Sequence, residues 1–281
     1  MASRRLPNDD QPLMKITSDS FDEADKKLFA MYDPELADES KLIDRLNIIR
    51  AKALEVNNYQ CLRSARFALT RCREHHLYGK VLTEAIHSNS VILDIGCALG
   101  TDIRQLVLDG WDVASTYATD LEPSFWDIGC ELFNDSAAAK PYFFPGDIFS
   151  DEFATISQDE GAPSSNKPSS LNDLRGWVDY VWTGSFFPLF SLEQQIIVAK
   201  KLFSLVVSKE NGAKVLWVRQ RGSAGEEDQS TDVRWLPTVT SWEKMWKFNV
   251  LPPGTTAQFS TTVRVEKIST SEMLSWWIKF D

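Results

Sequence analysis

The sequence predicts an α/β fold: a doubly wound, mostly parallel sheet of about seven strands with an antiparallel edge, preceded by an N-terminal helical segment. Three observations carry this expectation. From Ser90 onward, short apolar runs alternate with helical patterns, the rhythm of strands joined by crossover helices. A glycine turn, Gly96 to Gly100, stands between the first run and the first helix of that series. Ahead of it, residues 33–88 repeat apolar side chains at helical spacing.

Taken in order, residues 1–32 are polar, charged and aperiodic, and read as a flexible N-terminal arm lying along the body. Asp33-Pro34-Glu35 opens the helical cap segment, 33–88, with a capping carboxylate, a proline in the first turn and an acid near the positive pole. Leu42, Leu46, Ile49 and Ala53 mark one helical stripe, and Leu62, Ala65, Phe67 and Leu69 a second, on whose segment Arg63 and Arg66 also lie as a solvated face or alternatively as an acid clamp. The main domain, 89–281, begins with Val91-Ile92-Leu93, a strand buried on both faces. A helix over Thr101–Asp109 follows, then runs at Thr116–Thr119, Tyr142–Phe144, Val178–Trp182 and Lys214–Arg219. Between the last two, Ser191-Leu192-Glu193-Gln194 opens a helix with a capping box and Asn211-Gly212 closes it. Ser157–Ser170 and Gly222–Thr231 read as surface loops. A Trp-rich helix over Trp235–Phe248 and two strands, Thr261–Ile268 and Trp276–Phe280, complete the series.

Composition narrows the function. The chain has 281 residues, 43% of them apolar, with 30 Lys and Arg against 40 Asp and Glu for a net charge of -10. An acidic chain does not attract phosphate backbones or anionic membranes by bulk electrostatics. The best apolar run, Ile196–Val207, is interrupted by Lys200 and Lys201, and Pro7 to Asp10 stand where a leader peptide needs apolar residues. The expectation is a soluble, cytoplasmic protein without nucleic-acid partners or membrane insertion, its partners being a small molecule and at most a second copy of itself. Cys61, Cys72, Cys97 and Cys130 have no metal-ligand spacing and read as reduced thiols, so no metal is expected.

The informative segment is Leu93-Asp94-Ile95-Gly96-Cys97-Ala98-Leu99-Gly100. Strand, glycine turn and helix is how a doubly wound sheet holds a nucleotide-like ligand above its carboxyl ends. Gly96 lets the backbone approach that ligand, and Gly100 relaxes packing at the helix start. The spacing is not the G-x-G-x-x-G of dinucleotide sites, and Asp94 repels a pyrophosphate while suiting an amino group. Asp120, followed by Leu121, ends the second strand, where a carboxylate accepts ribose hydroxyls. Asp147, followed by Ile148, ends the third, within reach of an adenine amino group. Three acids in order behind a glycine turn point to S-adenosylmethionine as cofactor.

Here the chain resembles the class I S-adenosylmethionine-dependent methyltransferases, with their Rossmann-like sheet. Val91 to Gly100 matches their first motif, with Ala98 where a middle glycine is frequent; Tyr117-Ala118-Thr119-Asp120, Gly146-Asp147-Ile148 and Val178-Asp179-Tyr180-Val181 are similar to the following three. Cys97 to Leu106 with Asp109-Gly110, Phe125 to Gly129 and Glu131-Leu132-Phe133 resemble a fungal secondary-metabolite group that includes the methyltransferases of meroterpenoid pathways. Tyr59 to Arg63 and His75-His76-Leu77-Tyr78 are similar to the same group. The resemblance implies an S-adenosylmethionine-binding catalytic domain over 89–281, acting on an apolar aromatic or meroterpenoid acid.

Methyl transfer is an in-line displacement, so the enzyme aligns donor and acceptor and excludes water. A carboxylic acid arrives ionised at neutral pH, whereas a phenol needs a base. Only three histidines exist, His75, His76 and His87, all before the glycine turn, which favours a pre-ionised acceptor. His75 and His76 read as a solvated helix end, or alternatively as binders of the acceptor's carboxylate; His75, Tyr78 and Trp182 are the acceptor-side candidates. Trp235, Trp242 and Trp246 read as core. Three functions stay open: an O-methyltransferase esterifying a carboxylate, a phenolic O-methyltransferase, and a methyltransferase-fold protein that uses the bound sulfonium only to steer a cyclisation.

Overall fold

The computed structural model describes residues 12–135, 140–151, 153, 168–207, 212–223, 229–231, 234–265 and 272–280. The expected arm at 1–11, the centre of the Ser157–Ser170 loop, the Glu226–Asp228 acids, Asn211 and the end of the Thr261–Ile268 strand lie outside the described residues.

Four apolar runs become parallel strands: β1 (Ile92–Ile95), β2 (Thr116–Thr119), β4 (Tyr180–Gly184) and β5 (Val215–Arg221), with the short β3 (Tyr142–Phe143) beside β2. Every residue of β1 and β2 is buried, as strands covered on both faces require. β6 (Gln229–Thr231) and β7 (Arg234–Leu236) form a separate antiparallel ribbon. β8 (Ala257–Val265) and β9 (Glu272–Phe280) finish the main sheet, whose order is β3-β2-β1-β4-β5-β9-β8. Only β9 runs against the others, antiparallel to both β5 and β8. Strand order reverses between β1 and β4, so the crevice for a ligand opens at their carboxyl ends, around Ile95 and Gly184.

Helices cover both faces. α4 (Tyr78–His87) and α5 (Thr101–Leu108) bury Val81, Ala85, Ile103 and Leu106 against one face with Trp182, Trp217 and Trp277. α7 (Leu192–Val207) and α8 (Val239–Met245) pack the other face around Leu216, Val218, Trp276 and Ile278. The capping box that opens α7 is reciprocal, Ser191 and Gln194 each receiving the other's backbone N–H. α6 (Pro123–Phe133) carries Phe125, Leu132 and Phe133 into a third core shared with the cap helices α1 (Glu23–Tyr32) and α2 (Glu39–Val56).

Four expectations need correction. The arm is structured from well before residue 32: Asp22 caps α1, and Phe21, Leu28 and Phe29 are core. Asp33 caps only a single 3-10 turn, and the long helix starts at Glu39 under Asp38. The Leu62–Leu69 stripe is not one helix, because α3 (Gln60–Arg63) ends just before Ala65, whose φ of 57° turns the chain; Leu62, Ala65 and Phe67 are buried all the same, and Arg63 and Arg66 fall on different elements. Trp235 belongs to β7, and the Trp-rich helix begins at Val239 because Thr238 and Ser241 close a capping box there.

Candidate functional site

The glycine turn is held from below by the second strand. The amides of Gly96 and Cys97 both donate to Thr119 O, at 2.9 and 3.2 Å, and Gly100 N closes the turn onto Cys97 O at 2.8 Å. Gly96, Ala98 and Gly100 all adopt left-handed backbone, with φ of 68°, 48° and 73°. Ala98, which departs from the frequent glycine of the motif, therefore occupies a conformation that an L-residue enters at a cost of roughly 1–2 kcal/mol. A side chain at Gly96 has no room: its Cβ would lie 2.4 Å from Cδ2 of Phe186, which rises from the turn after β4.

The carboxylates differ from one another. Asp94 is 2% exposed and has no hydrogen-bond partner among the described residues. Burial holds its pKa well above the ordinary carboxylate range, Asp102 and Asp120 add to this, and Arg71 opposes it. A buried acid in that state calls for a cation, and an amino-acid ammonium fits. Asp120 accepts from Ala98 N at 2.9 Å and Glu122 N at 3.1 Å, so it braces the turn while keeping lone pairs for a diol; burial raises its pKa too. Gly146 N donates to Asp120 O at 3.0 Å, which sets exposed Asp147 beside the same strand end, its Oδ1 accepting from Phe149 N. Leu121 is 55% exposed, an open apolar surface, whereas Ile148 turns its side chain into the core with Leu93 and Ile95. The carboxyl ends of β1, β2 and β3 thus gather Asp94, Gly96, Gly100, Asp120, Leu121 and Asp147.

The acceptor-side candidates are differently placed. The segment from Arg66 to His76 crosses the carboxyl ends of β4 and β5 and the amino-terminal half of β9. Arg71 Nη1 donates to Gly184 O at 3.1 Å, and Asp102 accepts from both Cys72 N at 2.9 Å and Trp182 Nε1 at 3.0 Å. Trp182 is therefore a buried anchor packed on Trp217, not a free pocket wall. His75 is no solvated helix end but 3% exposed. Its Nδ1 receives Leu77 N–H, which leaves Nε2–H to donate to Trp276 O at 3.0 Å, and burial pushes its pKa down to about 3. His76 stacks on it and spends both nitrogens on Ser260 and Thr262. Tyr78 bonds Asp109, and burial raises its pKa.

Sequence reasoning missed the part that joins turn to helix. Arg104, 0% exposed, donates to Leu99 O at 2.8 Å and Gly100 O at 3.0 Å, pairs with Asp135, and lies between the rings of Trp126 and Phe133. It stands in the run Cys97 to Leu106, but nothing in the sequence links it to an acid 31 residues away.

A seven-stranded sheet with one reversed strand, a glycine turn after its first strand and acids at the next strand ends define a class I S-adenosylmethionine-dependent methyltransferase. No protein-family model matches the chain. It is 30% identical over 227 residues to O-methyltransferase phiE from Fungal sp. (strain ATCC 74256), covering 79% of this chain and 69% of that protein. It is 27% identical over 210 residues to methyltransferase adrK from Penicillium roqueforti, covering 74% and 69%. Among solved structures it is similar to magnesium protoporphyrin IX methyltransferase from Synechocystis PCC 6803 with S-adenosylmethionine bound, at 13% identity, 93% and 99% coverage and a TM-score of 0.49. The chain belongs to the family of fungal methyltransferases of secondary metabolism that includes O-methyltransferase phiE. Among its described residues no helix is long and apolar enough to cross a membrane.

Proposed function

We propose that this methyltransferase esterifies a carboxyl group on an apolar aromatic or meroterpenoid acid. One observation carries the reading: His75 and His76 both have their two nitrogens engaged, so neither imidazole beside the strand ends is available to deprotonate a phenol. Asp102 is committed to Cys72 and Trp182, and Tyr78 to Asp109. An acceptor that arrives already ionised needs no base.

When bound, S-adenosylmethionine supplies an electrophilic methyl group on a sulfonium. On this reading Asp94 holds its ammonium, Gly96 and Gly100 give its amino-acid end room, and Asp120 receives the ribose hydroxyls. Leu121 covers one face of the adenine, while Asp147 and the backbone of Ile148 meet its edge. The cap segment, 33–88, and the Trp-rich stretch after Gly222 exclude water from the acceptor, which strengthens the attraction between carboxylate and sulfonium. Mass spectrometry of the product followed by mild alkaline hydrolysis tests the proposal. A methyl ester returns the parent acid, and a product that survives hydrolysis is an ether and overturns it. A carboxylate acceptor also gives a rate that is flat above about pH 5–6, where such acids are ionised.

A further inference from the structure

The face of the sheet beneath the Arg66–His76 segment reverses the charge of the chain. Residues opposite one another in an antiparallel ladder share a face, as do residues two apart along a strand. Arg221 of β5, Met273 of β9 and Arg264 of β8 stand in one row, and Arg219, Ser275 and Thr262 in the next. The face is the one under the cap: Thr262 bonds His76, Arg219 pairs with Glu74, Arg264 Nη1 donates to Glu74 O, and Arg66 Nη2 lies 3.7 Å from Met273 Sδ. Arg71 follows on Gly184 O, the point where β4 ends beside the glycine turn. Five guanidinium groups thus form a strip from the sheet edge to the ligand crevice, into which Glu74 is paired through Arg219. The chain as a whole is acidic, at a net charge of -10.

Arg221 and Arg264 form the outer end of the strip. Arg221 and Arg264 are exposed and flank buried Met273 from either side, two strand spacings or about 10 Å apart. Guanidinium forks at that separation can converge on one carboxylate.

We propose that Arg221 and Arg264 capture the carboxylate of the acceptor at the rim and that the strip through Arg66 and Arg71 leads it to Gly184, so that this surface sets the preference for anionic acceptors. The inference rests on the carboxylate reading above, and its test is separate. Binding of 4-hexylbenzoic acid and of its neutral counterpart, 4-hexylbenzyl alcohol, is measured by calorimetry on protein saturated with S-adenosylhomocysteine. The acid is expected to bind at least about tenfold more tightly at low salt, with the gap shrinking as sodium chloride is added. In the double variant Arg221→Gln, Arg264→Gln the gap closes, while Arg264→Lys keeps most of it and the affinity for S-adenosylhomocysteine does not change. Acid and alcohol that cannot be told apart in the wild type, or a gap that persists in the double variant, overturn the proposal. An ester product with an unaltered gap in the double variant removes the strip and leaves esterification standing; an ether product with a gap that closes does the reverse.

Discussion

The two halves of the crevice are built by different means. At the ends of β1, β2 and β3, the backbone does most of the work: amides on Thr119 O, left-handed residues at alternate positions, and acids that bond the turn itself. At the ends of β4, β5 and β9, side chains from the cap meet side chains and carbonyls some 30 to 200 residues away, as in Cys72 Sγ on Asp102 O and His75 on Trp276 O. On the proposed reading the first half holds the methyl donor and is acidic, and the second receives the acceptor and is rich in arginine. A half made of backbone accepts one ligand shape and is written in a short stretch of sequence, whereas one assembled from distant side chains can change acceptor by changing single residues.

Breaking the donor half at its brace should have the largest effect. Arg104→Ala strands Asp135 in the core and frees two carbonyls of the turn, which should cost about 3–5 kcal/mol; urea unfolding measures the loss, and an unchanged midpoint would show the pair to be dispensable. The acceptor half has an acid-sensitive member. His75 is neutral when folded, with a pKa of about 3 against 6.5 unfolded, so its contribution is complete above pH 6.5 and is lost as pH falls toward 3. Stability measured across that window should drop by at most about 4 kcal/mol more in the wild type than in His75→Gln. Asp120→Ala removes the acceptor of a diol and of Ala98 N, and should weaken S-adenosylmethionine binding by about 1–3 kcal/mol in calorimetry; equal affinity would move the ribose elsewhere. The smallest change sharpens the contrast in the opposite direction. Ala98→Gly relieves the 48° backbone and should raise stability by about 1 kcal/mol, since the strain removed exceeds the added freedom of the unfolded chain.

What sequence could reveal follows the same division. The turn, the strand Thr116–Thr119 and the order of acids were legible because each depends on neighbours within a few residues. The stretch from Leu62 to Leu69 misled because its apolar spacing is helical while Ala65 is left-handed, and tertiary packing outweighed the local pattern. His75 misled for a similar reason: a histidine beside a predicted helix end looks solvated until Trp217 and Trp276 are folded over it. Of the arginine strip only Arg66 drew notice in the sequence, paired with Arg63 as an acid clamp; the other members come from the cap, β5 and β8 and meet only through ladder register and cap contacts.

Strand β9 is the last of the sheet to be synthesised, yet it lies between β5 and β8. Until it leaves the ribosome, β8 has no neighbour in the sheet and β5 keeps a raw edge. The parallel strands that hold the donor half can pair earlier, but the cap cannot seat His75 on Trp276, nor Arg66 on Met273, before β9 slides into its slot. Closure of the acceptor half is therefore a late event of the folding pathway, and a nascent chain stalled ahead of residue 272 carries an open sheet edge prone to pairing with its own kind.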